Sequence, residues 1–162
     1  MNYYKTIFGA FNDGGVRYII VGGVAMNFIG RERFTNDIDV LLALNEENLK
    51  RMSIVMKKLG YEQRLPLALE ELGDEKTVLK LMKEKHLMAY TFVHPVYHEF
   101  NVDVIAGDSL HFSEYEKRCT YLSLWNIKIP VIAIDDLIAM KKKAGRKKDI
   151  DDVDHLLQFK GL

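Results

Sequence analysis

The chain has 162 residues, a hydrophobic fraction of 48% and a formal net charge of zero at pH 7. This length fits one domain with a sizeable core, so we interpret residues 1–162 as a single domain. A neutral chain does not imply a general electrostatic affinity for nucleic acid, so any basic contact must come from a local patch. No apolar stretch approaches the roughly 20 residues of a membrane-spanning helix, and the N-terminus does not read as a signal peptide. We therefore expect a soluble, cytoplasmic protein without a membrane partner.

The first third of the chain alternates helices and buried strands. Apolar residues at helical spacing predict a helix over residues 2–12, and a short apolar strand follows over residues 16–21. Gly22-Gly23 then turns the chain into a short helix over residues 24–29. After a polar loop, a second apolar strand covers residues 37–44.

The rest of the chain continues this mixture and ends in helices. Asn45 is a typical N-cap for a helix that runs to about residue 59. One or two helices are expected within residues 66–86, and the clearer one covers residues 74–85. Further predicted elements are strands over 87–93 and 97–105, a short helix over 113–117, a hairpin of 121–124 and 128–132, and helices over 135–145 and 147–159. The order predicts an α/β (α+β) fold with a mixed sheet and a helical C-terminal part at about 134–160.

Three aspartates interrupt the apolar strands. Asp37 and Asp39 are two residues apart, so their side chains point to the same face of one strand. Asp103 lies between two valines in a later strand, and it could lie beside the first two in a mixed sheet. Carboxylates this close repel one another unless a cation neutralises them, and Mg²⁺ prefers such oxygen ligands together with phosphate and water. The alternative is that all three are ordinary solvent-facing residues.

The turn and loop before the first carboxylate carry the features of a phosphate site. Glycines at Gly22 and Gly23 allow a phosphate to approach the backbone, and the helix N-terminus that follows favours an anion. A tight turn that needs glycine for geometry alone is the alternative. Arg33 suits phosphate oxygens, although it could instead pair with a structural acid. For Arg31 the sequence favours neither role, and Thr35 contributes to nucleotide binding or fixes the loop by a local hydrogen bond.

These residues together resemble the nucleotidyltransferase fold of the DNA polymerase β superfamily. The signature of that superfamily is a Gly-Gly or Gly-Ser turn, a spacer, two acids around one apolar residue, and a separate apolar-flanked acid. The run from Arg33 to Asp39 is similar to the subgroup that includes abortive-infection type toxins, as is the C-terminal pattern Lys148-Asp149-x-x-Asp152-x-x-x-Leu156. The second glycine is often serine in the family, so Gly23 keeps the turn but removes a hydroxyl.

The resemblance implies transfer of a nucleoside monophosphate from an NTP to an acceptor hydroxyl. It implies that Asp37 and Asp39 bind Mg²⁺, with Mn²⁺ as an alternative, and that Asp103 is a third ligand or activates the acceptor. The acceptor is left open among RNA, protein and small molecules, and the preferred base and the oligomeric state are not specified. Two alternatives remain: a toxin or regulator with an antitoxin partner that acts on tRNA or protein, and a non-catalytic nucleotide-binding module.

The basic run from Lys141 to Lys148 is the strongest local concentration of charge. A solvated helix face is the usual explanation of such a run, and a basic wall for a triphosphate or RNA is the functional one. Several aspartates follow directly, and we expect them to form ion pairs with the run rather than a second metal site.

Overall fold

The computed structural model describes residues 2–32 and 34–161, which form one mixed sheet flanked by helices. The helices are α1 Tyr3–Asp13, α2 Gly22–Ile29, α3 Glu46–Lys58, α4 Glu75–Lys85, α5 Ala106–Ser109, α6 Phe112–Arg118, α7 Ile134–Ala144 and α8 Lys147–Gly161, with a 3₁₀ helix at Leu69–Gly73. The strands are β1 Tyr18–Val21, β2 Asp37–Leu42, β3 Glu62–Gln63, β4 Ala89–Val93, β5 Asn101–Ile105, β6 Thr120–Leu124 and β7 Ile127–Val131.

The strand order in the sheet is β3-β4-β5-β2-β1-β7-β6. The pairs β2–β5 and β1–β7 are parallel, and the other neighbours are antiparallel. Both parallel pairs join strands that are distant in sequence, as crossover connections require. The mixed sheet that the sequence predicts is therefore confirmed.

The period of two in the central strands explains which face of the sheet meets the core. Ile38 and Val40 on β2 are fully buried, and so are Val102 and Val104 on β5. The aspartates between them point to the opposite face because successive side chains of a strand alternate. One hydrophobic cluster unites the buried residues of strands and helices in the described chain. The single-domain assignment stays an interpretation.

Local capping chemistry sets several helix ends. The Asn45 side chain accepts a hydrogen bond from the Asn48 N–H, which confirms the predicted N-cap of α3. Gly145 ends α7 in the left-handed conformation, with φ of 65°. The β6–β7 hairpin turns at Trp125 and Asn126, both at positive φ, which confirms the predicted hairpin.

Several elements differ from the prediction, and β5 begins at Asn101 rather than at residue 97. Helix α2 begins at Gly22 rather than at residue 24, because the glycine pair forms its first turn instead of preceding it. The two-residue strand β3 and the one-turn helix α5 were not predicted, since neither is long enough to show a hydrophobic period. Across residues 2–32 and 34–161, none of the helices combines the length and apolar character that crossing a membrane demands.

Candidate active site

The sheet register places the three aspartates side by side on one face. In the parallel β2–β5 pair, Asp39 is opposite Asp103, and Asp37 is opposite Asn101. Neighbouring strands lie about 4.8 Å apart, so the aspartates occupy adjacent positions across the two strands. The adjacency that the sequence predicts is confirmed, while the roles of these residues remain proposals.

The electrostatics of Asp39 reflect this crowding. Burial raises its pKa from the ordinary value of 3.8 to about 7, and the negative charges of Asp103 and Asp37 add to the rise. The positive charges of Lys141 and Arg146 act in the opposite direction and do not cancel it. Without a further cation, Asp39 therefore binds a proton near neutral pH.

Asp103 has a similar environment with two compensating interactions. Burial raises its pKa, the hydrogen bond from Thr91 lowers it, the charge of Asp37 raises it and the charge of Arg64 lowers it, so that the net shift is upward. The Thr91 hydroxyl donates to Asp103 Oδ1 at 2.6 Å. This short bond fixes one carboxylate oxygen and leaves the other for a ligand.

The three aspartates can supply part of the ligands of a magnesium or manganese ion. Carboxylate oxygens are the ligands that these hard cations prefer, and a divalent charge would offset the repulsion that raises the pKa of Asp39. Within the described residues, however, no three His, Cys, Asp or Glu side chains are arranged as a ready metal-binding group. Magnesium commonly takes only one or two carboxylates and completes its shell with phosphate and water. The aspartates are therefore suited to hold a metal together with a phosphorylated substrate.

The glycine turn packs directly on this carboxylate. Gly22 adopts φ of 66°, and a Cβ atom there would lie 2.1 Å from Asp39 Oδ2. A side chain at this position would therefore strain the backbone and displace the carboxylate. The structure thus supplies a geometric need for glycine, and the same turn starts α2 beside Asp39. A helix N-terminus favours an anion.

Thr35 packs over the second glycine. A Cβ atom on Gly23 would lie 2.9 Å from Thr35 Oγ1 and 3.0 Å from Thr35 Cβ. The Thr35 hydroxyl donates to the Asp37 carbonyl oxygen at 3.2 Å, which is the local hydrogen bond of the second of its two predicted roles. Arg33, predicted to contact phosphate, lies outside the described residues.

A buried ion-pair network joins α7 and α8 near the carboxylates. Lys141 is only 7% exposed, and its Nζ lies 2.8 Å from Asp152 and 3.6 Å from Asp149. Arg146 bonds Asp149 at 2.7 Å, and Arg31 lies 3.6 Å from Asp152. Burial acts to raise the pKa of Asp149, but Arg146 and Lys141 outweigh it and the pKa is lowered. The predicted ion pairs of the basic run are confirmed for Asp149 and Asp152.

Lys141 itself is a residue that the sequence reasoning missed. The sequence favours a solvated position for it, yet Lys141 is buried in the structure, as are Leu137 and Ile138 of the same helix. Its place four residues after Leu137 was the available signal, because such spacing puts two side chains on one helix face. Its charge acts on Asp39, so this lysine belongs to the surroundings of the carboxylate site rather than to the exposed surface.

Comparison with known proteins gives a family and a fold. The family model described as "Nucleotidyltransferase of unknown function" (DUF6036) matches residues 10–158. No curated protein sequence matches at a significant level.

Several solved structures share the fold at low sequence identity. The lincosamide antibiotic adenylyltransferase LnuA, solved with lincomycin bound, is 13% identical with a TM-score of 0.62, over 96% of this chain and 95% of that one. The antibiotic-resistance factor ANT(2'')-Ia is 13% identical with a TM-score of 0.63, over 96% and 80%. An antigenic nucleotidyltransferase-like protein from Paracoccidioides brasiliensis is 16% identical with a TM-score of 0.58, over 95% and 73%.

Proposed function

Because the chain belongs to this family of nucleotidyltransferases, we propose that it transfers a nucleoside monophosphate from an NTP to an acceptor hydroxyl, with a divalent metal at Asp37, Asp39 and Asp103. The observation that carries the proposal is the β2–β5 register, which sets Asp39 opposite Asp103 on one face of the sheet. The metal is magnesium, with manganese as the alternative. When bound, it would neutralise charge on the α-phosphate and on the departing pyrophosphate.

The chain's own residues position the phosphates. The N-terminus of α2 at Gly22-Gly23 offers backbone N–H groups beside Asp39, and we assign the triphosphate to this end of the site. Lys141 and Arg146 add positive charge on the same side, as their effect on the pKa of Asp39 indicates. We keep Arg33 as a phosphate contact on its residue chemistry alone.

Asp103 lies where it can receive the proton of the acceptor. The acceptor oxygen attacks the α-phosphorus, its proton passes to an Asp103 oxygen, and the bond from phosphorus to pyrophosphate breaks. The Thr91 hydroxyl holds Asp103 Oδ1, so that Oδ2 either takes this role or binds the metal. A raised pKa favours proton acceptance by a carboxylate because it brings the group nearer to working pH.

The test is transfer of label from α-labelled NTPs to molecules of a cell extract, with magnesium. The wild type is compared with Asp37→Asn/Asp39→Asn and with the control Asp135→Asn, whose exposed acid pairs with Lys160. We expect label and pyrophosphate from the wild type and the control only. Equal labelling by the double variant would refute the assignment, and NTP binding without pyrophosphate release would favour the non-catalytic module.

The toxin alternative shares this chemistry and differs in its target. Growth arrest on expression, relieved by a co-expressed neighbouring gene, would support it together with an antitoxin partner. The acceptor class and the cytoplasmic location also stay predictions.

A further inference from the structure

A polar row crosses β2, β5 and β4 and ends at Arg64, the residue that directly follows β3. The Arg64 N–H donates to the Thr91 carbonyl oxygen at 3.0 Å, one residue past the last β3–β4 pair. Thr91 is opposite Asp103, and Asp103 is opposite Asp39. Directly opposite residues of paired strands project to the same face. The polar row Arg64, Thr91, Asp103 and Asp39 therefore lies on the face of the carboxylates.

Arg64 differs from the other arginines that the structure describes. Each of the others forms a salt bridge with an acid: Arg17, Arg31, Arg51, Arg118 and Arg146. Arg64 is exposed, and within residues 2–32 and 34–161 its guanidinium has no salt bridge and no hydrogen bond. Its five donors are thus available to a ligand.

The position of Arg64 separates it from the proposed triphosphate end of the site. Gly22, Lys141 and Arg146 lie on the Asp39 side of the row, whereas Arg64 lies beyond Asp103. Two strand spacings put its backbone about 10 Å from that of Asp103. A guanidinium there can reach a group carried by the molecule whose hydroxyl meets Asp103, but it is remote from the phosphates at Gly22.

We propose that Arg64 binds a phosphate group of the acceptor, and that the acceptor is a small phosphorylated alcohol. This inference rests on the proposed function, which places the acceptor hydroxyl at Asp103. A planar guanidinium matches phosphate oxygens in a two-point contact. The zero net charge of the chain offers no general attraction to a polyanion, which favours a small acceptor over RNA.

The test follows the Arg64 side chain itself. In ¹⁵N-labelled protein saturated with magnesium and a non-hydrolysable ATP analogue, the Arg64 Nε–Hε signal is monitored by NMR at constant ionic strength. Inorganic phosphate, ribose 5-phosphate, ribose and a short RNA oligonucleotide are titrated separately. Arg64→Gln assigns the signal, and Arg51→Gln, whose arginine pairs with Glu47, is the control.

Inorganic phosphate and ribose 5-phosphate should shift the Arg64 signal in a saturable way, at least threefold more than the Arg51 signal, whereas ribose should have no effect. Equal shifts of both arginines would overturn the inference, and so would a response to the RNA oligonucleotide alone. Saturation with the ATP analogue is verified first by the signals of Gly22 and Gly23. Failure of the ATP analogue to bind would contradict the proposed function. Binding of the analogue without an Arg64 response would contradict only this inference.

Discussion

The carboxyl group of Asp39 couples the chemistry of the site to the stability of the fold. Its pKa of about 7 lies above the ordinary value of 3.8, so the folded state holds a proton that the unfolded state releases between these values. The free energy of unfolding therefore falls as pH rises from about 4 to 7, and the whole of this loss is present above pH 7. Asp103, whose pKa is also raised, contributes in the same direction.

Asp39→Asn should accordingly stabilise the metal-free protein while it abolishes transfer. At pH 8 we expect a gain of roughly 1–3 kcal/mol, or about 3–10 °C in Tm, because the asparagine carries no charge to desolvate. The gain should shrink as pH falls toward 5. Thermal unfolding in a chelator at both pH values measures it, and a variant less stable than wild type at pH 8 would contradict the explanation.

The contact between Gly23 and Thr35 predicts a specific coupling. Gly23→Ala should destabilise the chain by about 1–2 kcal/mol, because the new methyl group would overlap the Thr35 side chain. Thr35→Ala removes the nearest atom, Oγ1, and should restore about half of the loss in the double variant. A double-mutant cycle by urea unfolding tests this, and strictly additive effects would show that the two sites do not touch.

At the scale of elements, the packing of α7 against α8 depends on charged side chains that are almost entirely buried. Lys141→Met leaves Asp149 and Asp152 with less compensating charge, each only 1% exposed. We expect a loss of about 3 kcal/mol, as is common when one partner of a buried pair is removed. The pH at which Asp39 titrates should also rise, because Lys141 lowers its pKa.

The matched control for this variant is Lys142→Met, since Lys142 is exposed on the same helix. Urea unfolding and the pH dependence of transfer are measured for both proteins. A loss below 1 kcal/mol for Lys141→Met, or an equal loss for the control, would show that the network does not support the helix pair.

The elements that sequence reasoning predicted are those with a clear period and a clear end. Residues 45–58 show both an N-cap and a helical stripe, and α3 forms there. The alternation of apolar residues placed Asp37 and Asp39 on one face of their strand, and the register adds Asp103 to that face. The pairing of β2 with β5 could not be derived, because a contact between strands so distant in sequence depends on the whole topology.

The same reason explains what the site prediction lacked. Lys141 and Arg64 enter the surroundings of the carboxylates through helix packing and strand order, not through a local motif. The local signal at Lys141 was its position four residues after the buried Leu137 on α7, whereas the two-residue strand before Arg64 gave no signal.

For the whole molecule, metal and nucleotide should act together as a stabilising ligand. A metal–nucleotide complex at 100 times its Kd stabilises the folded state by about 2.7 kcal/mol, or roughly 5–11 °C in Tm. Magnesium or ATP analogue alone should give less than half of this shift, because the three aspartates form no complete ligand group by themselves among the described residues. Thermal unfolding with each addition tests it, and an equal shift in Asp37→Asn/Asp39→Asn would place the ligand elsewhere.

Paramagnetic line broadening by Mn²⁺, with a non-hydrolysable ATP analogue present, tests the site most directly. Amide signals of residues 22–23, 37–39 and 103 should disappear first, while those of Phe112–Arg118 should persist at the same Mn²⁺ concentration. Broadening that spares residue 103 while it removes residues 37–39, or that centres on other acids of the chain, would contradict a single metal site shared by the three aspartates.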